Sequence, residues 1–459
     1  MRFAIVSKEG DGAGLALRLH DEGNEVSFWN ALKSQNEIIT GFGIKRYFGS
    51  NTPLLEFIRR HHDWHFIFDS FEWGSIQEKM REHHIPVIGT NRFGQKIEVD
   101  REWQYNFARS IGVKIPEYHV IESIPEVVNF IKLHPQRYIL KQTGGMPKTL
   151  NFAAQENDSS DLIDHLEAVQ SKTKLPKGKL ILQKLISGTE VAASVFVVSG
   201  VAMGRGDGPI IFENFEHKKF LEGNRGLTTG EMGTGIIAYE GPHRIYDEML
   251  RPIIPYLTNY TGEADANCIL DDSGQLWLVE WTLRLGYPAI YIELAMLDEP
   301  VWAFFSRLYS MDFTLRFKVG EPHVGLVLAF PHFPIEDITN VKDSFYNEHL
   351  NLKYLSHQDV KDVYLIEVKK SKGKTLISSE TGYAGIFIGR GQSFTEASQN
   401  AQNLIEKVPL SKFGFYRRDI GESSDARYKK VASALHQEAS GDRRLTPAFP
   451  ELSGPLSES

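Results

Sequence analysis

Cysteine is almost absent from this chain: one residue, Cys268, in 459. A single thiol excludes a disulfide within the chain and a zinc site built from cysteines, and it suits a reducing compartment. Set in the apolar "ANCIL", it reads as a small buried hydrophobe rather than a nucleophile. Long apolar runs are absent too. No stretch approaches the ~20 residues that a membrane helix needs, and the apolar run of "MRFAIVSKEG" is too short for a leader. Excess basic charge is also missing. The formal net charge is −8, which argues against nucleic-acid binding, because that task needs Lys and Arg to neutralise phosphates. What remains is an ordinary globular composition, 41% apolar and 24% charged. The length predicts two to four domains, here placed in the cytoplasm.

The first hundred residues alternate between short apolar runs and helical spacing. "RFAIVS", "NEVSFWN", "DWHFIFDS" and "IPVIGT" read as strands, with "LALRLHDEG" and "SIQEKMREH" as helices between them. Parallel strands buried on both faces give such runs, so residues 1–100 are expected to form a doubly wound α/β domain. The turn "SKEGDGAG" spaces its glycines G-x-G-x-G and lacks the third glycine of the dinucleotide fingerprint. No acidic ribose ligand follows the second strand. The turn therefore reads as a tight entry to a helix N-terminus. Residues 101–320 mix helices with Gly-rich hairpins. Residues 321–436 carry short strands ("DVYLIEVKK", "TLISS", "AGIFIGRG") and the helix "SFTEASQNAQNLIEKV". The Pro/Ser/Gly-rich 437–459 has little to bury and is expected to be disordered.

Three stretches carry candidate chemistry. In "YILKQTGGMPKT" Lys141 ends an apolar strand, where a charge is costly without an anion, and Lys148 follows across a Gly144-Gly145 loop. Such a pair suits a polyphosphate, although solvated lysines on a surface hairpin give the same pattern. "LILQKLISGTEV" is a buried strand whose exit, Gln183 to Leu185, offers backbone polar groups to a planar base, with Glu190 beyond Gly188 placed for ribose hydroxyls or simply for solvent. In "LWLVEWTLRLGYPA" alternation puts Glu280, Thr282 and Arg284 on one face, with Trp281 and Leu283 on the other. A carboxylate beside a hydroxyl suits a hard cation such as Mg²⁺, and Arg284 suits a carboxylate or phosphate. A helical Glu280–Arg284 pair is the alternative, against which Gly286 and Pro288 argue. Asp265 in the preceding strand is a further acidic candidate.

In order along the chain, these motifs resemble the ATP-grasp ligases, and among them phosphoribosylamine–glycine ligase. "IPVIGTNRFGQKIEVDREWQYNFARSIGVKIPEY" is similar to the family's junction, and "ENFEHKKF" with "NRGLTTGEMGTG" to its substrate segments. "FGFYRRDIG", Phe413–Gly421, is similar to its C-terminal signature. The resemblance implies an α/β fold: a doubly wound N-terminal domain, a two-lobed ATP-grasp domain (101–320, mobile lobe about 117–190) and a small C-terminal β-rich α+β domain. It implies ATP and Mg²⁺, with Mn²⁺ as substitute. Lys141 and Lys148 would hold phosphates, Gln183 and Leu185 adenine, and Glu190 ribose. Glu280 and Thr282 would hold the metal, and Lys218 and Arg284 the reacting groups. The partners would be a small carboxylate and an amine, in a monomer or homodimer.

The chain departs from the family pattern at named places. Thr282 replaces an asparagine, Tyr287 and Ala289 replace acidic groups, and Glu231 replaces a glycine. Thr228 and Lys219 also differ. "SKEGDGAG" stands for Gly-Gly-Arg-Glu and "DSFEWGS" for a Gly-Pro-Glu segment. These changes gather at the acceptor end. The resemblance therefore implies a purine-pathway ligase by default, with two alternatives: a divergent ligase joining an amino acid to another amine, or an inactive nucleotide-binding relative.

Overall fold

The computed structural model describes residues 1–32, 35–49, 51–142, 150–172, 178–206, 208–335, 344–379 and 381–436. Lys148 and the expected disorder of 437–459 lie outside the described residues.

The N-terminal strands form a five-stranded sheet in which every neighbour runs parallel. The sequence explains why. In Arg2–Ser7, Phe3 and Ile5 join one apolar core while Ala4 and Val6 join another, so both faces are buried. Helices Ala13–Asp21, Asn51–Arg60 and Gly74–Glu82 lie between the strands in sequence. The strands Arg2–Ser7 and His65–Phe68 are adjacent where the strand order reverses. Ser7 and Asp69 thus sit at the carboxyl ends flanking the switch point, the usual ligand crevice of such sheets.

Residues 118–184 form a small lobe with its own core. Four strands, Tyr118–Ile121, Tyr138–Gln142, Phe152–Ala153 and Leu180–Lys184, make an antiparallel sheet. Helix Ile124–Leu133 starts at Ser123, whose hydroxyl accepts from Glu126 N at 3.4 Å, and it packs Val127 and Ile131 into that core.

Most of the remaining strands build one antiparallel sheet, in the path order 276–282, 261–271, 188–198, 208–216, 233–240, 323–329, 383–390, 363–365, while Lys219–Leu221 with Arg225–Thr228 and Val368–Ser371 with Lys374–Ile377 form separate two-stranded hairpins. Residue 320, taken above as a boundary, lies between two adjacent strands of this sheet. "DVYLIEVKK" divides into two strands, Val363–Leu365 and Val368–Ser371. Between them Glu367, 4% exposed, turns inward to accept from Tyr383 N at 2.9 Å and from Thr381. The final helix, Ile420–Leu435, lies against this sheet and the helix Phe394–Glu406.

Candidate active site

The strand Leu276–Thr282 is the edge of the large sheet and pairs with Thr261–Asp271 so that Glu280 opposes Asn267 and Thr282 opposes Asp265. Trp281 is buried on the far side, its indole N–H donating to Met249 O at 3.0 Å. Leu283 is buried too, and its amide donates to Glu98 at 2.8 Å. Strand alternation therefore delivers Glu280 and Thr282 to one cleft-facing side, as the sequence predicts.

Across from Glu280 stands the helix Arg101–Ser110. Asp100 caps it by accepting from Trp103 N at 2.9 Å. Arg101 and Tyr105, four apart, then share one face. Arg101 Nη2 lies 2.9 Å from Glu280 Oε2, and Lys218 Nζ lies 3.7 Å from Glu280 Oε1. Lys218 also meets Glu216 at 2.7 Å. Lys141, at the end of its small-lobe strand, donates to Tyr105 Oη at 3.2 Å. Tyr105 Oη lies 3.2 Å from Gln183 Oε1 and 3.3 Å from Val279 O, hydrogen-bonding distance to both lobes. Three cations from three separate elements thus converge on one carboxylate.

The electrostatics follow. Burial alone would raise Glu280, but Arg101, Lys218 and Lys141 hold its carboxyl well below the usual carboxylate range. Burial pushes the Lys141 ammonium down, partly offset by Tyr105. Asp265 and Glu231 go the other way: burial, then the charge of Glu216, pushes both well up. Asp265 accepts from Asn214 at 3.3 Å and Asn267 at 2.9 Å, while Asn267 Oδ1 is buried with no partner among the described residues.

Gln183 spends its side chain on Tyr105, and the Leu185 amide donates to Arg137 O at 2.9 Å. The Leu185 amide offered to adenine above is therefore taken. The next amide, Ile186 N–H, has no partner among the described residues. Glu190 is exposed at the start of the strand Gly188–Val198, and its carbonyl accepts from Arg427 Nε at 3.0 Å. Arg284 lies beyond the strand end, 3.5 Å from Glu98.

Four residues were not read from the sequence as site residues: Arg101, Tyr105, Arg417 and Arg427. Arg417 is 1% exposed and grips the hairpin 219–228. Its Nη1 donates to Lys219 O at 3.0 Å and Asn224 Oδ1 at 2.9 Å, while Asp419 accepts from Gly223 N at 2.8 Å. The signature "FGFYRRDIG" is thereby a strut under the hairpin that follows Lys218.

At the switch point, Asp69 accepts from Ser7 Oγ, from Lys8 N at 3.1 Å and from Gly12 N at 2.8 Å. The amides that a dinucleotide phosphate would need are turned onto the chain's own carboxylate. The two divergent segments, "SKEGDGAG" and "DSFEWGS", therefore compensate one another, and Lys8 also pairs with Glu72. Burial, with Asp11 adding repulsion, pushes Asp69 up to about 7. Tyr287 Oη is buried there without a partner among the described residues. Cys268 is fully buried, and burial pushes its thiol well up.

No protein-family profile matches the chain. It is 22% identical over 366 residues to phosphoribosylamine–glycine ligase of Helicobacter pylori, covering 75% of this chain and 78% of that one. It is 23% identical over 372 residues to the ligase of the same name from Methanosarcina barkeri, covering 76% and 78%. Among solved structures, phosphoribosylamine–glycine ligase of Thermotoga maritima superposes with a TM-score of 0.68 at 19% identity, covering 91% of this chain and 100% of that one. L-amino acid ligase of Bacillus licheniformis gives 0.56 at 12%, covering 89% and 97%. The biotin carboxylase domain of Hydrogenobacter thermophilus 2-oxoglutarate carboxylase, solved with MgADP, gives 0.60 at 11%, covering 94% and 97%. The chain has the ATP-grasp fold and resembles phosphoribosylamine–glycine ligase. Among the described residues no helix is long and apolar enough to cross a membrane.

Proposed function

We propose that this chain is an ATP- and Mg²⁺-dependent carboxylate–amine ligase that works through an acyl phosphate, in the manner of phosphoribosylamine–glycine ligase. The observation that carries the reading is the meeting of Lys141, Arg101 and Lys218 around Glu280, between the small lobe and the large sheet. Opposed charges so placed position a triphosphate and offset charge on its transferring phosphoryl group.

The residues present fit Mg²⁺. Glu280 is held ionised, the orphaned Asn267 Oδ1 sits on the paired strand directly opposite, and Thr282 adds a hydroxyl. These are hard oxygen donors, which Mn²⁺ accepts as well. When bound, the ion neutralises phosphate charge. Lys141, with Lys148, binds phosphate oxygens. Arg101 neutralises Glu280 until the nucleotide arrives and then turns to phosphate. Ile186 N–H meets the adenine edge, and Glu190 accepts from ribose hydroxyls. Lys218 and Arg284 orient the reacting groups. A carboxylate oxygen attacks the terminal phosphorus, the bond to the bridging oxygen breaks, and ADP leaves. The amine nitrogen then attacks the acyl carbon, phosphate leaves, and the nitrogen gives up its proton. The lone thiol suits a cytoplasmic setting.

Glycine and phosphoribosylamine are the default substrates. A second reading, another amine, is favoured by the acceptor end. There Asp69 fills the turn, Asp11 is pushed up to about 6 by burial and Glu9, and Tyr287 presents an unpartnered phenol where the family pattern has an acid. The test is ADP release with glycine plus phosphoribosylamine, beside a panel of amino acids and amines. Release that needs both default substrates supports the first reading. Release only with another pair supports the second. Binding of Mg-ATP without release from any pair overturns the ligase.

A further inference from the structure

We propose that Glu213, His243 and His436 bind a divalent transition-metal ion, zinc foremost, that pins the C-terminal helix to the back of the large sheet. Glu213 lies on the strand Gly208–Glu216, between Asn214 and Phe212 in sequence, and alternation turns it to the face opposite Asn214 and the ATP cleft. His243 follows the strand Gly233–Glu240, and His436 is the C-cap of the helix Ile420–Leu435. Three elements far apart in sequence thus bring three ligand-bearing side chains together.

The geometry is that of a shared ion. His243 Nε2 lies 2.9 Å and His436 Nε2 3.0 Å from the same oxygen, Glu213 Oε2, and one ligand atom from each residue fits within 4.8 Å of the others. Bonds of ~2.0–2.2 Å at tetrahedral angles separate ligand atoms by about 3.3–3.6 Å, so the two imidazole nitrogens need draw back only a few tenths of an ångström from the shared oxygen, with every ligand atom already within 4.8 Å of the others. Glu213 and His243 are fully buried, and His436 is 26% exposed. Glu213 Oε1 is buried without a partner among the described residues, ready to approach the ion as a second oxygen. Water would fill the fourth position from the His436 side.

The donor set selects the metal. Two imidazoles and a carboxylate suit zinc and its transition-metal neighbours, whereas Mg²⁺ prefers oxygen throughout. The site is therefore separate in chemistry as well as in place from the Glu280 cleft. The surroundings brace it: the Tyr239 ring lies 4.2 Å from the His436 ring, and its hydroxyl is 2.7 Å from that of Tyr428 on the same helix. That helix also carries Arg427, whose guanidinium holds the carbonyls of Glu190 at 3.0 Å and Glu216 at 2.9 Å. An ion at one end of the helix thus steadies two backbone segments that border the cleft from behind.

The test uses the full chain, stripped with a chelator and titrated with Zn²⁺ in excess Mg²⁺, which saturates the oxygen-rich cleft. One equivalent of Zn²⁺ should bind and raise the unfolding temperature, and Co²⁺ in its place should give the visible absorption of a tetrahedral site. His436→Ala, a change at a partly exposed helix end, should keep the far-UV circular dichroism. It should weaken Zn²⁺ binding by at least the ~10–100-fold that even an outer partner's loss costs. It should also abolish the Co²⁺ band. Wild-type protein that binds no Zn²⁺, or His436→Ala that binds it as wild type does, overturns the proposal and leaves the cluster as two imidazoles hydrogen-bonded to one Glu213 oxygen.

Discussion

At the scale of single residues, function concentrates where a charge interrupts an apolar run. Asp69 shows how such a charge also sets stability. Its carboxyl rises from an ordinary 3.8 to about 7 through burial and the neighbouring Asp11. A raised acid stabilises the fold fully below the unfolded value and loses that contribution as pH climbs through the folded one. Stability should therefore fall between about pH 3.8 and about pH 7, and Asp69→Asn should flatten that slope in urea titrations run across this window. Tyr105→Phe removes the hydroxyl shared by Lys141, Gln183 and Val279. A net ~0.5–1.5 kcal/mol per hydrogen bond predicts a several-fold rise in KM for ATP with little change in fold, measured by steady-state kinetics. Lys141 and Glu280 were legible in the sequence because burying either alone is costly. Arg101 and Tyr105 were not. On an amphipathic helix both look like solvated or packing residues, and Arg101 meets its partner 179 positions away. At the exit of the strand Leu180–Lys184, only the fold reveals that Arg137 already holds the Leu185 amide.

At the scale of elements, the strut from Arg417 explains why an arginine is buried there. It joins the half-buried Asp419 to the hairpin 219–228, so cutting it leaves two hairpin acceptors unpaired and Asp419 held to the hairpin by Gly223 N alone. Arg417→Ala should cost ~1–3 kcal/mol for each acceptor left unpaired and should speed amide hydrogen exchange in residues 219–228 ahead of the rest of the sheet. Uniform exchange across the molecule would argue against a local strut. The strands of 1–100 were readable because burial on both faces makes each an apolar run. The helix Ile420–Leu435 was not anticipated: "IGESSDARYKKVASAL" buries only Ile420, Gly421, Ser424, Val431 and Leu435, too sparse a stripe to stand out. "DVYLIEVKK" reads as one strand because nothing local reveals that Glu367 is drawn inward by Tyr383.

At the scale of the molecule, two packing units face one cleft. The lobe 118–184 closes most of its own core, with Ile181 and Tyr118 packed into the large core that runs from residue 3 to residue 435, and the outer face of the N-terminal sheet closes a third. Where they meet, Ile181 and Tyr118 pack on the large core, and polar pairs such as Tyr105 with Gln183 and Lys184 N with Glu117 O at 2.8 Å cross beside them. A lobe that closes most of its own core can turn as a body about so narrow a seam. Mg-ATP should therefore slow hydrogen exchange around Lys141 and Gln183 while leaving the lobe core near Val127 and Leu166 unchanged. The overall order of parts was legible because its motifs fall in sequence along the chain. The sharing of one sheet across residue 320 was not, because strand pairing is a long-range fact.

The central claim is that this cleft hands a phosphoryl group to a carboxylate. It is tested most directly by replacing the unknown amine with hydroxylamine and supplying glycine and other amino acids with Mg-ATP. Wild-type protein should release ADP and an amino-acid hydroxamate in equal amounts with at least one carboxylate, and Glu280→Gln, folded by circular dichroism, should release neither. Hydroxamate formation at the wild-type rate by Glu280→Gln, or no hydroxamate from any carboxylate with wild-type protein that binds Mg-ATP, would contradict it.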